Sequence, residues 1–216
     1  MTVTGKYIDV DYGGIHYALC NQRSRAWSHP YEWERDGSTL SSAGCGIFSV
    51  ANAAQYLKGA PVAPEALADF ACETGGRGDD GTDRPKLLAA MEEKGLAKKH
   101  GFSYRFDGLR NDLDALYAHL AQGGAALCNL RAGHIVALIG CREVDGEKQV
   151  LAADPYSESA DPRVRDAVRE CIPGSEVISR VLNERGVPCG LQETYALFWA
   201  ALAVVRDFNL LHRLRD

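Results

Sequence analysis

Gly44-Cys45-Gly46-Ile47-Phe48-Ser49-Val50-Ala51-Asn52-Ala53-Ala54-Gln55-Tyr56-Leu57 is the stretch from which the rest of the chain can be read. Apolar residues at Ile47, Val50, Ala51, Ala54 and Leu57 fall on one side of a helix, predicting a buried stripe over 45–58 that Gly59 stops. The same run sets a cysteine in the helix's first turn. Unpaired backbone N–H groups and the positive end of the helix dipole stabilise a thiolate there. A flanking glycine is expected to let backbone and substrate approach the sulfur.

The chain of 216 residues is long enough to bury a core without covalent staples. It reads as one domain over 1–216, built from two lobes, with a catalytic core over 20–156 and a C-terminal extension over 157–216. A net charge of −5 with no Lys/Arg cluster gives no footprint for nucleic acid or an anionic membrane surface. The segment Met1–Tyr7 lacks the pattern of a signal peptide, and no stretch reaches the roughly 18 apolar residues of a membrane helix. The seven cysteines are odd in number, widely spaced and never arranged as C-x-x-C, arguing against a disulfide framework or a zinc knuckle. These features predict a soluble cytoplasmic protein, with export as an effector left open.

Residues 1–44 read as an irregular segment pinned by Trp27, Tyr31 and Trp33. Helices are predicted over 45–58, 64–73, 84–94 and 109–121, with a short strand near Phe102–Phe106. Gly75–Gly81 reads as a mobile polar loop; it has the composition of a phosphate cradle but lacks the Gly-Lys-Ser/Thr of a P-loop. Ala125–Leu130, His134–Cys141 and Gln149–Asp154 are apolar segments separated by turn residues and read as strands. Helices first and antiparallel strands second imply an α+β fold, a helical lobe against a sheet lobe. Beyond Asp161 the pattern allows helices over 162–170 and 175–185. Phe198–Val205 is either a strand or part of a helix starting near Gln192.

Nucleophilic thiol chemistry needs a thiolate, a base that returns its proton to the leaving group, a group orienting the base, and donors for the oxyanion. Cys45, His134, Asp154 and Gln22 are the respective candidates, with the Cys45 backbone N–H beside Gln22. Asn129 is a rival for the orienting position. His16, His29, His100, His119 and His212 read as surface or packing residues, and the other six cysteines as inert small hydrophobes. Pairing of His134 with Asp154 can be tested by counting around the Asp145-Gly146 turn. A two-residue loop alone sets Asp154 opposite Ala137, on the wrong face. A three-residue loop, or a bulge restoring the parity, sets it opposite Val136 with His134 diagonally beside it, about 7–8 Å away by backbone.

Four blocks resemble the papain-like cysteine peptidases related to the bacteriocin-processing domains that cleave after double-glycine leaders, including their free-standing relatives. The blocks are Asn21-Gln22 with Trp27 and Tyr31 following; Ser42-Ala43-Gly44-Cys45-Gly46 with its helix to Gly59; Gly133-His134 through Gly140; and Ala153-Asp154-Pro155. The resemblance implies a papain-like fold, a thiol mechanism without metal or cofactor, and a peptide or protein substrate. It sets Gln22, Cys45, His134 and Asp154 on the oxyanion, nucleophile, base and orienting positions. It departs at Gly44, where transporter-linked leader peptidases usually carry aspartate, and it does not extend over 157–216. Acyl transfer to an amine and a silent peptide-binding module are the alternatives to hydrolysis.

Overall fold

The computed structural model describes residues 2–131 and 133–214. Its first element corrects the reading of 1–44 as irregular. Tyr7–Tyr12 and Ile15–Cys20 form an antiparallel hairpin. Gly13 and Gly14, with φ of 59° and 78°, make the tight turn that requires two positive φ values. Ile8 and Val10 are buried while Asp9 and Asp11 face solvent, an alternation legible in the sequence.

The key helix spans Cys45–Lys58 as predicted, and Gly59 closes it in a left-handed conformation. Two polar residues on its buried face satisfy neighbouring backbone: Ser49 Oγ donates to Ile135 O at 3.0 Å, and Asn52 Oδ1 accepts from Cys20 N at 3.0 Å. Helices Pro64–Thr74 and Arg84–Glu93 complete this lobe close to their predicted bounds. The helix expected over 109–121 begins only at Leu113, because Asp112 caps it and Arg110 pairs with Phe208 as a strand residue. None of the helices is long and apolar enough to cross a membrane among the described residues.

Gly75–Gly81 is not the expected mobile loop. Arg77–Gly78 pairs with Gly81–Thr82, and the buried Arg77 donates to Tyr31 O at 3.0 Å and to Asp36 Oδ2 at 3.0 Å. This small hairpin packs against the start of the Cys45 helix. A Cβ at Gly46 would lie 2.4 Å from Thr82 Cβ, and one at Gly44 would lie 2.4 Å from Leu40 O. Both glycines therefore admit protein neighbours, rather than the substrate expected from sequence. Gly46→Ala gains about 1 kcal/mol of helix propensity, whereas overpacking costs about 1–3 kcal/mol. Net destabilisation is expected, read as a lower denaturation midpoint, with a Thr82→Gly background relieving part of it.

The second lobe is a seven-stranded antiparallel sheet in the order Phe102–Ser103, Val205–Arg213, Ala125–Leu130, Ile135–Val144, Glu147–Ala153, Leu197–Ala201, Val168–Cys171. One face, with Leu127, Ala137, Ile139, Leu151 and Trp199, packs on the helical lobe. The other, with Cys128, Val136, Leu138, Phe198 and Phe208, is covered by Leu116 and Leu120 of the Leu113–Ala121 helix and by Val164. Burial on both faces explains why these strands read as continuous apolar runs rather than alternating ones. The expected α+β class, a helical lobe on an antiparallel sheet lobe, is observed.

The C-terminal helices expected over 162–170 and 175–185 are replaced. Only Pro162–Arg165 is helical; Val168–Cys171 is a sheet strand, and Glu176–Leu182 pairs with Pro188–Tyr195 in a separate hairpin. Phe198–Val205 resolves as the strand Leu197–Ala201, a 3-10 turn, and the start of the strand Val205–Arg213. Runs such as Val177-Ile178 carry both periodicities weakly, so tertiary pairing decides them.

Candidate active site

Register brings the predicted residues together. Val144 faces Glu147, so the Asp145-Gly146 loop has two residues, with φ of 51° and 80°, and of the two expected alternatives it is the bulge and not the three-residue loop that occurs. The register then shifts between Leu138 and Gly140, where Ile139 is the extra residue, and Ala137 faces Ala153. This bulge restores the parity. His134 precedes the strand Ile135–Val144 and Asp154 follows its neighbour Glu147–Ala153, so both side chains emerge at one end of the sheet. The Ser49–Ile135 hydrogen bond docks the second turn of the Cys45 helix against that same end.

His134 Nε2 lies 2.8 Å from Asp154 Oδ1 and donates to it, and the Cys45 sulfur is near enough to the imidazole for each to shift the other's pKa. Asp154 is fully buried and accepts backbone N–H bonds from Tyr156 at 2.8 Å and Ser157 at 3.0 Å on Oδ1, and from Glu158 at 3.0 Å on Oδ2. Its own N–H donates to Ala196 O at 2.8 Å. The carboxylate thus accepts from four donors, three on Oδ1 and one on Oδ2. Asn129 does not orient the imidazole: its Nδ2 donates to Asp207, which also pairs with Arg84 and Arg206.

Electrostatics follow from this chain of contacts. Burial alone drives thiol pKa values up, as at Cys20 and Cys128. At Cys45 burial acts the same way but is outweighed by the hydrogen bond and charge of His134 and by the N–H groups of Ile135 and Gly46, holding the thiol below its ordinary 9.0. Burial would lower His134; the Asp154 carboxylate and the Cys45 sulfur override it and hold the imidazolium well above 6.5. Burial would raise Asp154, yet the imidazolium and the N–H donors of Glu158 and Tyr156 keep it below 3.8. The arrangement favours a thiolate beside an imidazolium.

Gln22 is buried between the two lobes. Its N–H donates to Pro155 O at 2.8 Å and its Nε2 to Ser41 O at 3.4 Å, while Oε1 is enclosed with no partner among the described residues. It is therefore anchored to the residue after Asp154 and to the turn before the Cys45 helix.

Sequence reasoning missed Tyr156, whose ring lies 5.8 Å from the His134 ring centroid, and Arg23, whose guanidinium sits 4.2 Å above Tyr156. It also missed Ser157, buried at a φ of 53° with Oγ 2.7 Å from Thr194 Oγ1. Proximity to Asp154 and Gln22 was the available signal for the first two; the partnership with Thr194 had none. Two concavities flank the site. A groove of about 1130 Å³ includes Cys45, Gly133 and Ile135 with Trp33 and the 74–86 segment. A pocket of about 490 Å³ includes Gln22, Ser41 and Tyr156 with the hairpin residues Ile178–Arg180. Among the described residues no cluster of three or more His, Cys, Asp or Glu is placed to hold a metal ion.

A search of curated proteins finds no match to the chain. A family model, the Peptidase_C39 like family, matches residues 15–171. That stretch contains Gln22, Cys45, His134 and Asp154 and most of the chain's length, so the chain belongs to the Peptidase_C39 like family.

Proposed function

We propose that the protein hydrolyses peptide or amide bonds through a Cys45–His134–Asp154 triad and an acyl-thioester. The observation that carries this reading is a half-buried cysteine at a helix start, beside an imidazole whose Nε2 is held 2.8 Å from a fully buried carboxylate. The Cys45 thiolate attacks the substrate carbonyl carbon, and the electron pair moves to oxygen beside Gln22 and the Cys45 N–H. The proton on His134 Nδ1 passes to the leaving nitrogen as the C–N bond breaks. Water then attacks the thioester, gives its proton to His134, and releases the acid and the Cys45 sulfur. The residues matching the double-glycine leader peptidases support a peptide or protein substrate and a place beside that group's free-standing members. Seven free cysteines favour a reducing compartment such as the cytoplasm.

Incubation with a randomised peptide library, acid quenching and peptide-resolved mass spectrometry tests the reading. Cleavage with a transient acyl adduct on Cys45 is expected; new amides formed with added amines would indicate acyl transfer, and no product or adduct would overturn the reading. Gln22→Ala is expected to lower kcat by about 10²–10³-fold, the usual worth of one oxyanion donor. Cys45 should alkylate at an unchanged rate in that variant, because the groups that stabilise the thiolate, His134 and the Ile135 and Gly46 N–H groups, are all retained.

A further inference from the structure

The pocket holding Gln22 and Tyr156 has a chemistry that the triad does not use. Three arginines, Arg23, Arg25 and Arg180, line it together with Ser24, Ser42 and Ser179, and no carboxylate is among its lining residues. Arg23 spends its Nε on Tyr156 O and Ser157 Oγ and stacks on the Tyr156 ring, leaving its terminal nitrogens unassigned. Among the described residues none of the three arginines is paired with a carboxylate, although twelve other Lys and Arg side chains in this acidic chain take part in an ion pair. The pocket wall also holds the enclosed, unpartnered Gln22 Oε1.

Its position relative to the chemistry decides which part of a substrate it meets. The acyl group stays on sulfur, and Cys45 lines the other, larger groove with Gly133 and Ile135 and is not among the residues of the arginine pocket. The amine departs by way of the imidazole, against which Tyr156 lies. The arginine pocket is therefore on the leaving-group side. Arg180 arrives on the Glu176–Leu182 hairpin strand, outside the residues that match the family, and Ile178 fixes that strand by exchanging hydrogen bonds with Thr4 at 3.0 and 2.9 Å.

We propose that this pocket binds a carboxylate on the leaving segment of the substrate, so that the protein selects bonds followed by an acidic side chain or by a nearby free C-terminus. The inference rests on the hydrolase reading for its orientation but not for the binding it predicts. The test uses peptide pools randomised on the acyl side, with Asp, Asn or Lys in the first three leaving-side positions, each made as C-terminal amide and as free acid. Affinity is measured on the Cys45→Ala protein and kcat/KM on wild type. Asp pools should exceed Asn pools by about tenfold, the scale of one charge-assisted hydrogen bond. Arg25→Gln/Arg180→Gln should erase that ratio without moving the thermal midpoint, since both side chains are exposed and unpaired. Arg180→Glu should shift preference toward Lys. A gain confined to free acids assigns the carboxylate to a chain terminus; a gain retained in amides assigns it to a side chain. Equal affinity of the Asp and Asn pools, with no gain from a free acid, overturns the proposal even if turnover is found. A preference on Cys45→Ala without turnover by wild type upholds the pocket and sinks the hydrolase reading instead.

Discussion

His134→Ala should reduce turnover by about 10⁴-fold or more, on the scale reached when a nucleophile and its base are separated. The same variant should change Cys45 itself. In wild type the sulfur is held below its ordinary pKa only because His134 and two backbone N–H groups outweigh burial. With the imidazole gone, burial dominates and the thiol titrates higher, so alkylation by a neutral haloacetamide should become slow near neutral pH. The sign of the wild-type pH profile follows from the two shifts. Reactivity appears as pH rises through the lowered Cys45 pKa, and turnover falls again only as pH passes through the raised His134 pKa, when the imidazolium loses the proton the leaving group needs. Peptide-resolved alkylation rates across pH, in wild type and His134→Ala, measure both halves. An unchanged Cys45 profile in the variant would remove His134 from the mechanism.

Asp154→Ala carries the second large effect, and it falls on folding as well as rate. The substitution strips the acceptor from His134 Nε2 and from three backbone N–H groups, at Tyr156, Ser157 and Glu158. Breaking a buried hydrogen-bonded charge pair in this way costs about 3–5 kcal/mol. Asp154→Asn distinguishes orientation from charge. Its carbonyl keeps the contacts to His134, Tyr156 and Ser157, but its NH₂ faces the Glu158 N–H, leaving one donor unpaired at about 1–3 kcal/mol. Urea midpoints should fall in the order wild type, Asn, Ala, and kcat/KM should follow the same order. Equal rates for Asn and Ala would mean that the carboxylate's charge, not its hold on the ring, is what matters.

The site was more legible than its support. Cys45 was visible because a glycine-flanked cysteine opens an amphipathic helix, and counting around Asp145-Gly146 stated what register His134 and Asp154 required. The count could not choose between a longer loop and a bulge, since Ile139 looks like any other apolar residue of its strand; Gly140, where the register resumes against Leu151, offers the only local cue. The first hairpin was readable and missed: Tyr7–Tyr12 alternates and Gly13-Gly14 supplies the turn. Residues past 161 were opaque for a different reason. Val168–Cys171 and Val205–Arg213 are strands only because partners more than twenty residues away pair with them, and local pattern carries little of that information. Arg77 was misread because a polar, glycine-rich segment looks mobile until its guanidinium is seen buried against Tyr31 and Asp36.

Chain order and sheet order disagree in a way that bears on the protein's synthesis. Every reacting group lies before residue 155, yet Ala125–Leu130 pairs with Val205–Arg213, Glu147–Ala153 pairs with Leu197–Ala201, and Asp154 is pinned by Ala196. A nascent chain emerges N-terminus first, so the ribosome delivers the thiol, the imidazole and the carboxylate long before it delivers the strands that align them. On that schedule the candidate site takes shape only once Leu197–Arg213 has emerged, so the thiol, imidazole and carboxylate wait unaligned while the sheet is still incomplete.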